Sequence, residues 1–159
     1  MDALSLLRRD HREVKKLLAE LVPTTDRAVR TRTRLFDRLQ TALTAHEIVE
    51  EEIFYPALRQ HPKAKEIVLE AHEEHNVVDT LLGELGRLPV TDQTWGAKAK
   101  VMAENLEHHI QEEEREMFAQ ARRLFDTAEL AELGRRMEDR KSTALRQIRT
   151  QPQPHQPVA

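Results

Sequence analysis

Apolar residues recur at three- and four-residue steps along nearly the whole chain, the period of helices that bury one face. Leu4, Leu7, Val14, Leu18 and Leu21 mark the inward seam of a first helix running from about Asp2 to Val22. Leu35, Leu39, Ala42, Ile53 and Ala57 mark a second that closes near Gln60, where Pro56 should bend the last turn. Ile67, Ala71, Val78, Leu82 and Leu85 mark a third reaching about Leu88, and Met102, Leu106 and Met117 a fourth reaching about Leu124. The breaks carry turn chemistry: Pro23-Thr24-Thr25-Asp26 with its cap candidates, His61-Pro62, and Pro89 to Trp95 with Thr91 or Asp92 as cap. Asp126-Thr127-Ala128-Glu129 reads as a capping box opening a fifth helix, with Leu130, Leu133, Met137, Ala144 and Ile148 on one side. No alternating run is long enough for a convincing strand. The expected fold is all-α: an antiparallel up-down four-helix bundle over residues 1–125, and a C-terminal helix over 126–150 packed on the bundle or on a partner copy. A disordered, proline-bearing tail is expected over 151–159.

Polar residues interrupt these seams in a repeated order. His46 and Glu50 stand one turn apart on the apolar face of the second helix, and His109 and Glu113 do the same on the fourth. His11 and His75 sit in the middle of the first and third seams. The phrase around Asp10-His11 resembles that around Glu74-His75, and His46 to Pro56 aligns with His109 to Ala119. His11 to His46 is 35 positions and His75 to His109 is 34, so the chain reads as a duplicated helical hairpin. At about 1.5 Å rise per residue, His46 and His75 lie at similar depth from the connection that joins their helices. The same count for helices 1 and 2 leaves an excess, so part of Thr24 to Thr31 must overhang or be irregular.

A single histidine on an apolar face is more often a hydrogen-bonded core residue than a ligand. Four of them with two glutamates in repeated register are another matter, because a buried carboxylate without a partner costs several kcal/mol or more, on the order of tens in the idealised limit. No Lys or Arg occupies these stripes. His11, His46, Glu50, His75, His109 and Glu113 are too many ligands for one small ion. They suit two, bridged by the glutamates and each held by two histidines. High-coordination nitrogen and oxygen ligands favour iron, then manganese, over a closed tetrahedral zinc site. Glu51, Glu52, Glu112 and Glu114 read as solvated or supporting groups, and Tyr55 as a packing residue able to hydrogen-bond to the site.

Composition narrows the picture further. The 159 residues suit one domain, and 33% charged with 39% hydrophobic residues and only four Gly suits amphipathic helices. A formal net charge of −3 gives no electrostatic reason to expect nucleic acid. The chain has no cysteine, which excludes disulfides, iron–sulfur clusters, thiolate zinc sites and a cysteine nucleophile. No apolar run approaches membrane-spanning length and no signal-peptide core opens the chain, so no membrane and a cytoplasmic location are expected. Arg27, Arg30, Arg32, Arg34 and Arg38 crowd the start of helix 2 and read as a solvated face, as do the basic residues of the fifth helix.

Asp10-His11, His46-x-x-x-Glu50 leading into Phe54-Tyr55-Pro56, Glu74-His75, and His108-His109-x-x-x-Glu113 leading into Met117-Phe118 together resemble the hemerythrin-like HHE cation-binding family, over roughly residues 5 to 120. The resemblance implies a hemerythrin-like four-helix bundle around a non-haem di-iron centre, oxo- or hydroxo-bridged, that handles dioxygen, nitric oxide or peroxide. Oxygen-carrying members supply five histidines, two of them four residues apart on the third helix. Here His72 and His75 are three apart and Ala71 stands at the other position, which argues against simple oxygen carriage. His72 remains a candidate fifth ligand from the edge of the seam. His108 keeps the histidine-to-glutamate separation of the oxygen carriers, and Glu47 matches a carboxylate used by iron-sensing members. The reading is a di-iron protein reacting with small oxidants, with peroxide disproportionation the specific enzymatic expectation. The alternatives are a non-catalytic oxygen, nitric oxide or iron sensor, with the fifth helix as output or homodimer contact, and a purely structural bundle whose polar core holds zinc or water.

Overall fold

The computed structural model describes residues 1–151, and among these it is entirely helical. Helix α1 (Ala3–Leu21) opens on Asp2, whose side chain accepts from the Ser5 amide. Helix α2 (Val29–Val49) passes through a π-helical segment, π1 (Glu50–Phe54), into α3 (Tyr55–Arg59), and the three make one rod. Helix α4 (Lys65–Arg87) follows a single 3₁₀ turn. Helix α5 (Trp95–Glu112), the segment π2 (Glu113–Met117) and α6 (Phe118–Leu124) make the fourth rod, and α7 (Thr127–Thr150) the fifth. The expected bundle with an added C-terminal helix is present. Of the tail expected over 151–159, all but Gln151 lies outside the described residues.

Rods pair as the duplicated hairpin requires, α1 against α2 and α4 against α5, and α7 lies across α1, α2 and π1. Its Leu130, Leu133, Met137 and Ala144 are buried within the chain, so this stripe is not left over for a second copy. Packing is tight enough that Gly134 has no room for a side chain: a Cβ there would stand 2.7 Å from Asp2 C and 2.8 Å from Ala3 N. Two apolar clusters fill the two ends of the bundle. One gathers Leu6, Leu7, Phe54, Leu58, Phe118 and Met137, the other Leu17, Leu18, Leu39, Leu85, Trp95 and Met102. The polar residues of the seams lie between them.

Three local expectations are corrected. Helix α2 starts at Val29 on Ala28, with no side-chain cap from Thr24, Thr25 or Asp26. Instead Arg32 leaves the solvated face predicted for it and is buried. It donates to Thr24 O at 2.8 Å, Thr24 Oγ1 at 3.0 Å and Val90 O at 2.6 Å, and lies 4.9 Å over Trp95. A planar fork of donors can be satisfied by carbonyls and stacked on an indole, which a lysine could not do. Helix α5 begins after Thr94, and Asp92 binds Thr94 rather than capping the helix itself. Apart from these three, the second rod widens into a π turn at Glu50, well before Pro56. The same widening occurs at Glu113, where the matching residue is Ala119, so proline is not its cause. The irregular Thr24–Ala28 stretch and the Asp126–Glu129 capping box are as expected.

Candidate metal centre

The π segments are what bring the aromatic residues over the site. A π turn bonds residues five apart, so Tyr55 N–H donates to Glu50 O, and Phe118 N–H to Glu113 O. Tyr55 therefore shares a face with Glu50, and Phe118 with Glu113. The Tyr55 hydroxyl donates to Glu113 Oε1 at 3.1 Å and sits 3.4 Å from Glu50 Oε2 and 3.3 Å from His75 Nε2. Phe118, at the matching position of the other repeat, stacks on His11 at 6.0 Å.

All six seam residues converge, and none is more than 3% exposed. His46 Nε2 lies 3.0 Å from Glu50 Oε1, and His75 Nε2 lies 3.2 Å from Glu50 Oε2, so that carboxylate stretches between the two repeats. Glu113 Oε2 lies 3.1 Å from His11 Nε2 and 3.9 Å from His109 Nε2. His11, His46, Glu50 and Glu113 offer ligand atoms within 4.8 Å of one another, as do Glu50, His75 and His109. Close as they are, His11 Nε2, His46 Nε2, Glu50 Oε1 and Glu113 Oε2 make no hydrogen bond although they are buried. Buried polar atoms without partners are costly, and a cation at this point would satisfy them. The donor set, imidazole nitrogens and carboxylate oxygens with no thiolate, fits iron or manganese.

Each histidine also has a carboxylate behind it. Asp10 Oδ2 stands 3.6 Å from His46 Nδ1 and Glu74 Oε2 3.3 Å from His109 Nδ1. Glu114 Oε1 holds His11 Nδ1 at 2.8 Å and Glu51 Oε1 holds His75 Nδ1 at 3.0 Å. The residue before the first histidine of a repeat thus backs the second histidine of that repeat. The residue after its glutamate backs the first histidine of the other repeat. A carboxylate on Nδ1 turns Nε2 inward and makes the ring more basic. Sequence reading quoted Asp10 and Glu74 in the repeated phrases without giving them this role. Their recurrence one position before a seam histidine was the available signal.

Charge follows from this crowding. Burial works against charge on His46, yet the Glu50 carboxylate beside Nε2 and the Asp10 carboxylate behind Nδ1 hold its pKa well above the usual imidazole value. His75 is pushed up to about 10: burial opposes charge, and Glu50 and its neighbours overcome it. Glu50 falls well below the ordinary carboxylate value, because His46 and His75 outweigh burial. Burial, with the Glu113 and Glu50 charges, raises Tyr55 well above a normal phenol.

The remaining candidates lie outside the two ligand groups. His72 Nδ1 stands 3.7 Å from Glu51 Oε1, behind the carboxylate that holds His75, and its ring meets Tyr55 edge-on at 5.3 Å. His108 is turned outward, 3.2 Å from Glu112 Oε1. Glu47 is raised to about 8 by burial, with Asp79 facing it adding to the rise and His75 opposing.

The profile of the family described as hemerythrin HHE cation binding domain matches residues 2–121. The uncharacterized proteins Rv2633c of Mycobacterium tuberculosis H37Rv and Mb2666c of Mycobacterium bovis are each 33% identical over 157 residues, 96% of this chain and 90% of theirs. Among solved structures, a hemerythrin HHE cation binding domain-containing protein, the Rv2633c homolog from Mycobacterium kansasii, superposes with a TM-score of 0.80 at 31% identity, covering 95% of this chain and 94% of that one.

Proposed function

This chain belongs to the hemerythrin HHE cation-binding family, and from that premise we propose that it is a non-haem di-iron protein that binds small oxidants and disproportionates hydrogen peroxide. His11 and His46 would hold one ion and His75 and His109 the other, with Glu50 common to both groups and Glu113, 3.1 Å from His11 and 3.9 Å from His109, reaching towards both. The observation that carries the reading is the set of buried, unpartnered nitrogens and oxygens in the middle of the bundle. Two adjacent iron ions, when bound, supply electrons one at a time and positions open to a small oxygen-containing ligand.

The chain's own residues set the conditions for that chemistry. Glu114 and Glu51 fix His11 and His75 through Nδ1, and Asp10 and Glu74 stand behind Nδ1 of His46 and His109, which favours each Nε2 turned inward. Tyr55 holds its proton at the hydroxyl and aims it between the two shared carboxylates. The apolar clusters close the two ends of the bundle to bulk water. Disproportionation needs no outside reductant, since one peroxide is oxidised to dioxygen while another is reduced to two waters. Iron analysis and an oxygen electrode test the reading. It predicts about two irons per chain and oxygen release on adding peroxide, both lost in Glu50→Ala, and iron-free protein from iron-replete cells would overturn it.

A sensing role is favoured by one observation. Lys141 of α7 holds Asp10 Oδ1 at 2.6 Å, and Asp10 backs His46, so the C-terminal helix is wired to the centre. Two irons without oxygen release, combined with iron-dependent protease cleavage in α7, would establish that reading instead.

A further inference from the structure

The two repeats are covered differently on their outer faces. On the first repeat α7 lies over α1 and α2. Lys141 neutralises Asp10, Arg140 grips Glu52 at 2.6 and 2.8 Å, and Met137 is wholly buried. On the second repeat the groove between α4 and α5 holds an open cavity of about 230 Å³. Glu70, Glu74, Glu112 and Glu116 wall it, and His109 and Glu113 form its inner end. No Lys or Arg lines it.

Glu74 is the counterpart of Asp10, and the contrast between them is informative. Asp10 has an ammonium at 2.6 Å. Glu74 Oε2 is buried with no hydrogen-bond partner, and its ligand-atom neighbours are His108 and Glu112, all within 4.8 Å of one another. Deeper in, Glu113 is 2% exposed and its unpartnered Oε2 belongs to a side chain lining the same cavity. Exposure falls in steps along this line, from 63% at His108 and 34% at Glu112 to 22% at Glu74 and 3% at His109. A concave surface of one charge sign concentrates the opposite charge, and imidazole with carboxylate is a donor set that binds divalent metal and releases it.

The geometry points to a loading site: Glu74, His108 and Glu112 form an outer, transient site for a divalent cation, and the acidic cavity passes the ion on to His109 and Glu113. This inference rests on the metal-centre reading above. Glu74 serves twice, first as a ligand of the arriving ion and then as the partner of His109.

Mixing metal-free protein with excess Co²⁺ in a stopped-flow spectrometer, then measuring cobalt per chain after gel filtration, tests it. Glu112→Gln/Glu116→Gln should fill about tenfold more slowly at low salt and approach the parent rate as salt rises, His108→Ala should fill more slowly at every salt, and both should finish with the same cobalt content. Glu132→Gln/Glu138→Gln, the same loss of two charges on the exposed side of α7, should fill at the parent rate. Parent rates in the cavity variants, or equal slowing in Glu132→Gln/Glu138→Gln, would overturn the route. So would a lowered final content, which would make these residues part of the centre itself. A parent chain that keeps no cobalt would overturn the metal centre along with the route, so the two failures are told apart.

Discussion

The two repeats of the bundle hold the same inner residues but differ in what stands around them. His11 matches His75, His46 matches His109, Glu50 matches Glu113, and each histidine has its carboxylate. The π segments also match, although only one is followed by proline. What differs is the next layer: Tyr55 against Phe118, His72 against Arg8, and Asp10 tied to α7 against Glu74 facing a cavity. On the proposed reading, the shared parts would hold the cations. The unshared parts are the Tyr55 hydroxyl, the acidic cavity and the tie to the C-terminal helix, so the duplication would supply the centre and its breaking the surroundings.

The largest expected effect comes from removing what joins the repeats. Glu50 gives one oxygen to each side, 3.0 Å from His46 and 3.2 Å from His75. Glu50→Ala should therefore drop bound iron from about two per chain to less than one, whereas His46→Ala, confined to one side, should leave about one. Equal losses in both variants, by metal analysis of protein that keeps its helical circular dichroism, would mean that the two sides fill only together.

Next in size is the tie that only the first repeat has. Asp10 is 3% exposed, and Lys141→Met would leave its carboxylate with His46 at 3.6 Å and the exposed Arg9 guanidinium at 3.5 Å. Breaking a buried pair from one side costs about 3 kcal/mol, to be read from urea unfolding at neutral pH. Asp10 lies below its usual pKa of 3.8: burial works to raise it, and the facing His46 ring with the Lys141 hydrogen bond outweighs that. A depressed carboxylate contributes stability above its unfolded pKa and loses it as pH falls through the folded one. The deficit of Lys141→Met should therefore narrow below about pH 4.

Most of the scaffold could be read from spacing alone, because four strongly periodic seams with few glycines leave little other than a bundle. Inward His and Glu positions were legible for the same reason. The hidden features are contacts between elements far apart in sequence. Neighbours on a helix point about 100° apart, so Asp10 beside His11 in sequence serves His46 on another rod. Arg32 looked like one arginine among five until Trp95 and Val90 were brought beside it. The π turns gave no compositional sign, and only the paired aromatic positions Tyr55 and Phe118 hint at them.

A smaller effect is expected from exchanging those aromatics. Tyr55→Phe removes the hydroxyl donor to Glu113 Oε1 at 3.1 Å and should cost the metal-free chain about 1 kcal/mol in urea unfolding while leaving bound iron unchanged. Phe118→Tyr should not restore the loss when combined with it. The second hydroxyl would be buried beside His11, where the Arg8 guanidinium at 5.1 Å already covers the ring. Recovery in the double variant would show that the halves are interchangeable at this layer.

The smallest effect is expected at His72, and it is the most discriminating because a fifth ligand was sought there. Arg8 stands 3.7 Å from Glu114, which holds His11, and His72 stands 3.7 Å from Glu51, which holds His75. A basic side chain behind a carboxylate behind a histidine is therefore the shared plan, with both outer side chains about one-third exposed. His72→Arg copies the first repeat onto the second and should change stability by less than about 0.5 kcal/mol, with iron content and visible absorption intact. A ligand could not be replaced by a guanidinium, which has no lone pair to give. Loss of one iron, or a shifted absorption band, would therefore return His72 to the centre and end the equivalence with Arg8.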